Sequence, residues 1–364
     1  MKVSEICKYA PKSNIKARDA CDGGKYVFFT SSADESKRYN AYQHEGEGII
    51  MGTGGNATLH YYDGKYAVST DCIVLLPNEQ IRCKYLYYFF LGNMRVLERG
   101  FKGAGLKHTN KGYIGDIDIG DIPSFERQEK IIGIFDTLQS IIDLRKSEIE
   151  RLDNLIKARF VEMFGSPVSN PMSWEKRTLK EVCIKLNDGS HFSPKSFETG
   201  DYKYVTAKNI KFSGFDFSNI TYVPEAVHRP IFDRCNPEFE DVLYIKDGAT
   251  TGVAIVNTLD EEFTLLSSVA LLKQDRSIMN GYFLATLLNN KDMYLNIRNN
   301  MGGAAITRLT IAKLNAIEII VPPIELQNQF AAFVAEVDKS KVAVQKALDE
   351  TQTLFDSLMQ EYFG

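Results

Sequence analysis

The sequence predicts an α+β chain built twice: two mixed α/β domains separated by two long helices that pair as a coiled coil, the halves related by a pseudo-twofold repeat. Three observations carry this. Pro123 to Gly165 and Pro322 to Gly364 align without a gap at a shift of 199 residues. Each opens P-x-x-E-x-Q (Pro123, Glu126, Gln128; Pro322, Glu325, Gln327) and closes on Phe-Gly. Both carry an apolar ladder of coiled-coil period, and fainter repeats run through the segments that precede them.

In the first helix the ladder steps by alternating fours and threes through Ile131, Phe135, Leu138, Ile142, Arg145, Ile149, Leu152, Ile156, Arg159 and Met163. In the second the same steps land on Phe330, Val334, Val337, Lys341, Val344, Leu348, Thr351, Phe355, Leu358 and Tyr362. Only Arg145 and Arg159 in one, and Lys341 and Thr351 in the other, are polar, and no proline interrupts either run. A helix of ~40 residues is a rod of ~60 Å, so it needs a partner along its length, and the other copy is the nearest candidate.

The domains repeat more faintly. Tyr66–Leu75 matches Phe263–Leu272 at a shift of 197, both read as short β-prone runs. A helical stretch follows each, Lys84–Leu91 and Asn280–Leu288. Turn-rich loops precede them, Gly48–Thr58 and Asp241–Gly252, and glycine-bearing segments follow, Gly103–His108 and Gly302–Arg308. The boundaries read as a first domain over 1–122, a helix over 123–165, a second domain over 166–321 and a last helix over 322–364. The Pro/Ser/Asn-rich stretch from Gly165 to Ser173 joins the halves, and Trp174, the one tryptophan, is expected to anchor the second domain.

Composition agrees with a chain of 364 residues that lives in a reducing compartment. No run approaches the ~18 apolar residues of a membrane span, the opening MKVSEICKYAPKSN has no signal-peptide core, and a cytoplasmic location is expected. Six cysteines and five histidines form no C-x-x-C and no zinc spacing. The formal net charge is −4, and the acidity sits mainly in the last helix, which should therefore face protein. The near-neutral domains predict weak nonspecific affinity for DNA.

This order resembles the specificity subunit of type I restriction-modification systems: variable domain, P-x-x-E-x-Q helix, Phe-Gly stop, the segment Asn170-Pro-Met-Ser-Trp174, a second domain with the loop Asp247-Gly-Ala-Thr-Thr-Gly252, and a second P-x-x-E-x-Q helix. The resemblance spans the whole chain. It implies two target recognition domains, each reading one half of a bipartite site in double-stranded DNA, and two helices paired as an antiparallel coiled coil that acts as a ruler. It further implies a noncatalytic chain that docks two methyltransferase subunits and restriction subunits with ATP-driven translocase activity. S-adenosylmethionine, ATP and Mg then belong to those partners, with no cofactor and no metal on this chain. Recognition domains differ between family members, so the resemblance carries over no base contacts.

Two other classes compete. Phe101-Lys-Gly103-Ala-Gly105 fits the F-x-G-x-G turn that holds S-adenosylmethionine in adenine methyltransferases, but the [DN]-P-P-[YFW] partner that positions a flipped base is missing. Asp22 with Glu35-Ser-Lys37 fits the loose nuclease pattern D…E-x-K, but on a polar loop rather than a strand. Neither glycine loop ends in the Lys-Ser/Thr of a phosphate loop. A coiled-coil scaffold that binds no DNA is the remaining alternative.

Base reading requires amide, guanidinium, imidazole or hydroxyl groups on exposed loops. The first domain offers Lys37, Arg38, Thr53, Asn56, His60, Lys107 and His108. The second offers His191, Lys195, Lys208, Asn209, Lys246, Thr250, Thr251 and Arg308.

Overall fold

A computed structural model describes residues 1–299, 301 and 308–364. The chain divides into two units, Met1–Ser147 with Gln345–Gly364, and Glu148–Val344. Both long helices are unbroken for 40 residues, the central one over Phe125–Phe164 and the C-terminal one over Ile324–Phe363. Each unit therefore holds one half of each helix.

The ladder is the seam. None of its twenty rungs is exposed, and within each unit the two helices run antiparallel. In the first unit Phe135 meets Phe355 with ring centroids 5.3 Å apart, and Arg145 donates to the carbonyl of Ala347 and the hydroxyl of Thr351. In the second Phe160 meets Phe330 at 5.6 Å, and Lys341 meets Asp153 at 2.6 Å. Arg159 lies over the ring of Phe333 at 5.9 Å. The polar rungs are thus engaged across the seam, which is how a ladder tolerates them without leaving a polar group unsatisfied.

The first unit carries one six-stranded sheet, built from β1 (Cys7–Tyr9), β2 (Tyr26–Phe29), β3 (Arg38–Tyr39), β4 (His44–Gly52), β5 (Leu59–Val68) and β6 (Cys72–Pro77). Its order is β1-β6-β4-β5-β2-β3, antiparallel except for β2 beside β5. The second unit contributes β7 (Glu175–Thr178), β8 (Cys183–Asp188), β9 (Tyr202–Val205), β10 (Ile210–Lys211), β11 (Gly214–Phe215), β12 (Thr221–Val223), β13 (Val242–Ile245), β14 (Ala254–Val256), β15 (Thr264–Leu265), β16 (Val269–Gln274) and β17 (Glu318–Val321). There the order β8-β16-β13-β14 continues in a separate sheet as β15-β9-β12, again with one parallel pair, β15 beside β9.

These are the same fold. The counterparts in order are β1 and β8, β6 and β16, β4 and β13, β2 and β9, β3 and β12, while the ten-residue β5 corresponds to β14 and β15 separated by residues 257–263. The β-prone runs of the sequence are each two strands with a turn between, at 69–71 and 266–268. The expected loops need correction likewise: Gly48–Gly52 and Val242–Ile245 are central strands, and only Thr53–Thr58 and Lys246–Gly252 lie beyond them. Gly48–Gly52 and Val242–Ile245 are buried at every residue, on both faces, so they lack the alternation that would have marked them.

The helices expected over Lys84–Leu91 and Asn280–Leu288 span Cys83–Gly92 and Gly281–Asn289, and they are the seats of the long helices. Gln128, buried, accepts from the Arg82 amide at 2.7 Å and donates to the Pro123 carbonyl at 2.9 Å. Gln327, buried, accepts from the Asn280 amide at 2.9 Å and donates to the carbonyls of Pro322 at 2.8 Å and Ile278 at 3.0 Å. Each amide so satisfies a donor at the start of its seat helix, where no intrahelical acceptor exists, while folding its own chain around the proline.

The far end of the other helix docks on the same seat. Phe363 packs on Tyr85 at 5.3 Å and its carbonyl accepts from Asn93 at 2.8 Å. Phe164 packs on Phe283 at 4.8 Å and its carbonyl accepts from the Trp174 indole at 3.0 Å. Gly165 follows at φ +73°, the left-handed turn that ends a helix, with Pro171 2.7 Å from where a Cβ would stand. The joint is folded: the Asn170 side chain bonds both the amide and the carbonyl of Trp174. No described helix is long and apolar enough to cross a membrane.

Gln327→Leu should leave the Asn280 amide and two carbonyls without partners, at about 1–3 kcal/mol, read as a melting temperature lower by several degrees. Gln128→Leu should do the same through Arg82. Two variants as stable as the parent would show that the amides do not hold the seats.

Candidate nucleic-acid interface

At one end of each sheet the residues after the strands converge. In the first unit three segments meet: the loop after β2, the turn Thr53–Thr58 after β4, and a hairpin closed by paired backbone bonds between Lys102 and His108. Ser31 donates to the carbonyl of Gly54 at 2.6 Å, the Gly55 amide donates to the carbonyl of Lys107 at 2.9 Å, and Gly54 faces the His108 ring. A Cβ on Gly54 would stand 3.2 Å from that ring, so glycine permits the hairpin its close approach. The F-x-G-x-G turn is the outgoing arm of this hairpin, with Gly103 at φ +149°.

Lys107, His108 and Asn56 are exposed here, and Thr53 is half-buried with its hydroxyl on the Asp71 carbonyl at 3.0 Å. Lys37 and Arg38 are half-buried and turned onto their own loop: Lys37 donates to Thr30 at 2.9 Å, and Arg38 to the carbonyls of Glu35 and Lys37. Within the loop the hydroxyl and amide of Ser36 donate to the Asp34 carboxylate at 2.5 and 2.9 Å, which holds that carboxyl below its ordinary range.

His60 does not stand on a loop. It is a buried residue of β5, with Nδ1 2.6 Å from Glu35 and Nε2 2.9 Å from the Ser32 carbonyl. It pins the loop after β2 to the sheet, and Glu35, a member of the D…E-x-K pattern, is engaged by it.

In the second unit the corresponding place is ionic. Asp188 at the end of β8 and Lys246 at the end of β13 are both buried, with Lys246 Nζ 3.3 Å from Asp188 Oδ2 and 2.9 Å from Asp247 Oδ2. Three side chains ring the pair. His191 Nε2 lies 3.1 Å and Arg234 Nη2 3.8 Å from Asp188 Oδ1, and Arg308 Nε lies 3.2 Å from Asp247 Oδ1. Arg234 also donates to the carbonyls of Asp188 and Gly189. Arg308 bridges backbone with Asp247 as His108 does with Gly54, so the two occupy equivalent places.

Three more expected loop contacts are corrected. Lys246 is 1% exposed and serves as the buried cation. Thr251 is buried with its hydroxyl on the Gly248 carbonyl at 2.7 Å. Asn209 is buried, and its side chain bonds Thr206 and the Asp216 carbonyl to close a turn. His191, Lys195, Lys208, Thr250 and Arg308 are exposed; Lys195 lies over the Phe197 ring at 5.3 Å. Of the expected glycine-bearing segment after the second seat helix, Gly302–Thr307 lie outside the described residues.

Sequence reasoning missed Asp188, Arg234 and Asp247. The two aspartates share one signal, the repeated Asp-Gly at 188–189 and 247–248, a turn mark after two apolar runs.

Residues 1–154 and 171–351 match the family model of the type I restriction modification DNA specificity domain. The chain belongs to that family. Among curated members it is similar to the MjaVIII specificity subunit of Methanocaldococcus jannaschii, at 22% identity over 85% of this chain and 78% of that one. It is also similar to the EcoDI specificity subunit of Escherichia coli, at 24% identity over 43% of this chain; that match spans about a third of the relative, 34% of its length. The fold is that of the type I system S subunit from M. genitalium, with a TM-score of 0.66, 15% identity and coverage of 100% of this chain and 95% of that one. A chain from a structure on assembly and conformational transition of a type I restriction-modification system gives 0.52 at 17% identity, over 100% and 96%. The family's two specificity domains are the two repeats described above.

Lys246→Met should leave the Asp188 and Asp247 carboxylates without their buried cation, at about 3–5 kcal/mol. Adding Asp188→Asn should recover much of that loss. Urea unfolding of the purified chain reads both; an unchanged midpoint in the single variant would contradict the anchoring role of the pair.

Proposed function

We propose that this chain is the noncatalytic specificity subunit of a type I restriction-modification complex, reading a bipartite duplex target with one half assigned to each repeat. One observation carries the reading: two copies of one strand order place chemically different side chains at the same end of the sheet. His108 faces a glycine in one copy where Arg308 faces a carboxylate in the other. A duplicated frame with diverged tips suits two similar but non-identical sequences.

In this reading the paired helices set the spacing of the half-sites and, through the acidic C-terminal helix, receive two methyltransferase subunits and then restriction subunits. Those partners supply S-adenosylmethionine, ATP and Mg, the chemistry, and much of the phosphate contact that near-neutral domains lack. The complex acts on DNA in the cytoplasm.

Exchanging residues 166–321 for the corresponding domain of a relative should rewrite one half of the methylated sequence and leave the other intact. The purified chain alone, given labelled S-adenosylmethionine and mixed duplex, should transfer no methyl group. A swap that altered both halves, or robust methyl transfer by the lone chain, would refute the assignment.

A further inference from the structure

We propose that Arg308 reads a guanine in the half-site of the second repeat, and that Asp247 is the residue that positions it to do so. The inference rests on the DNA-reading function proposed above.

Four observations converge on this pair. Arg308 is well exposed, its side chain 58% accessible, while its backbone is tied to the residues that follow β13. It bridges Asp247, and the Leu309 amide donates to the Lys246 carbonyl at 2.8 Å. Its side chain is ion-paired with Asp247, Nε lying 3.2 Å from Oδ1, an oxygen out of reach of solvent that accepts no hydrogen bond of its own among the described residues. Among the described residues no hydrogen bond engages its two terminal nitrogens. Finally Asp247 is fixed from behind, because its other oxygen takes Lys246 Nζ at 2.9 Å and Lys246 is in turn locked on buried Asp188.

A guanidinium restrained at Nε presents its Nη1/Nη2 end as a planar pair of donors. In the major groove guanine offers a matching pair of acceptors, O6 and N7. Adenine sets an amino donor beside N7, and the pyrimidines offer a single hydrogen-bonding group each, so none takes both bonds. Holding the fork before DNA arrives removes part of the side-chain entropy that an unrestrained arginine loses on binding. Asp247 is therefore more than a counter-ion. It also costs little net attraction for DNA, since Lys246, Arg234 and Arg308 outnumber the carboxylates of Asp188 and Asp247. In the first repeat the equivalent His108 faces Gly54 and has no such carboxylate, so the rule belongs to the second half-site alone.

The test uses the full chain assembled with its methyltransferase partner. Its target is first defined by selection from a random duplex library, and each guanine of the second half-site is then replaced by 7-deazaguanine, which lacks the N7 acceptor. One replacement should weaken binding of the parent by about 5- to 150-fold, the range of one bidentate contact. Arg308→Lys keeps the charge but not the planar fork; it should lose part of the discrimination at that base pair and of the sensitivity to the replacement. Asp247→Ala should lose part of the same discrimination at the same base pair, and Asp247→Asn should regain it.

A second half-site without guanine would overturn the inference. So would an Arg308→Lys variant that binds all sequences more weakly by one factor, the signature of a phosphate contact, or an Asp247→Ala variant that discriminates like the parent. A parent complex that retains no duplex sequence-selectively would instead overturn the function on which the inference stands.

Discussion

The rest of the structure depends on two buried glutamine side chains. Gln128 and Gln327 each tie the first turn of a long helix to the first amide of a seat helix, and the end of the opposite helix closes on that seat through Phe363 or Phe164. An amide can do this because it donates and accepts at once, so one side chain satisfies the exposed start of one helix and the bend that precedes another. A seat helix gripped from both sides is a fixed platform for its sheet. The polar tips are then carried on rigid elements, which is what selective recognition requires.

Electrostatics divides along the same lines. The C-terminal helix holds the acidic excess, whereas the tip of the second repeat gathers three permanent cations around two carboxylates, with Lys246 and Asp188 almost fully buried. A buried ion pair contributes little net stability, yet losing either partner is costly. Such a pair is well suited to fixing geometry. It holds Asp247 from behind, and everything at the rim that touches Asp247 or Asp188 inherits that order.

The ladders and the P-x-x-E-x-Q openings announced the helices because both are local patterns with a period. Antiparallel pairing was not in the period; it came from the family resemblance, and the contacts of Phe135 with Phe355 and of Phe160 with Phe330 bear it out. The role of Gln128 was invisible, since the amide that donates to its side chain lies 46 residues away. His60 and Lys246 were taken for loop residues because each lies close to a glycine-bearing turn, and nothing local says that β5 runs through His60 or that Lys246, one residue past β13, is buried. The Lys246–Asp188 pair joins residues 58 apart in sequence, so no window could display it. Shared strand order was readable only in part: β5 in the first repeat and β14 with β15 in the second differ by an insertion, and a gapless comparison loses the register there.

Methylome sequencing of the source cells, with and without this chain's gene, tests the account most directly. It predicts one bipartite motif, two short specified halves around an unspecified gap, that is methylated in the parent and absent from the deletion strain. An identical set of methylated motifs in both strains would contradict it.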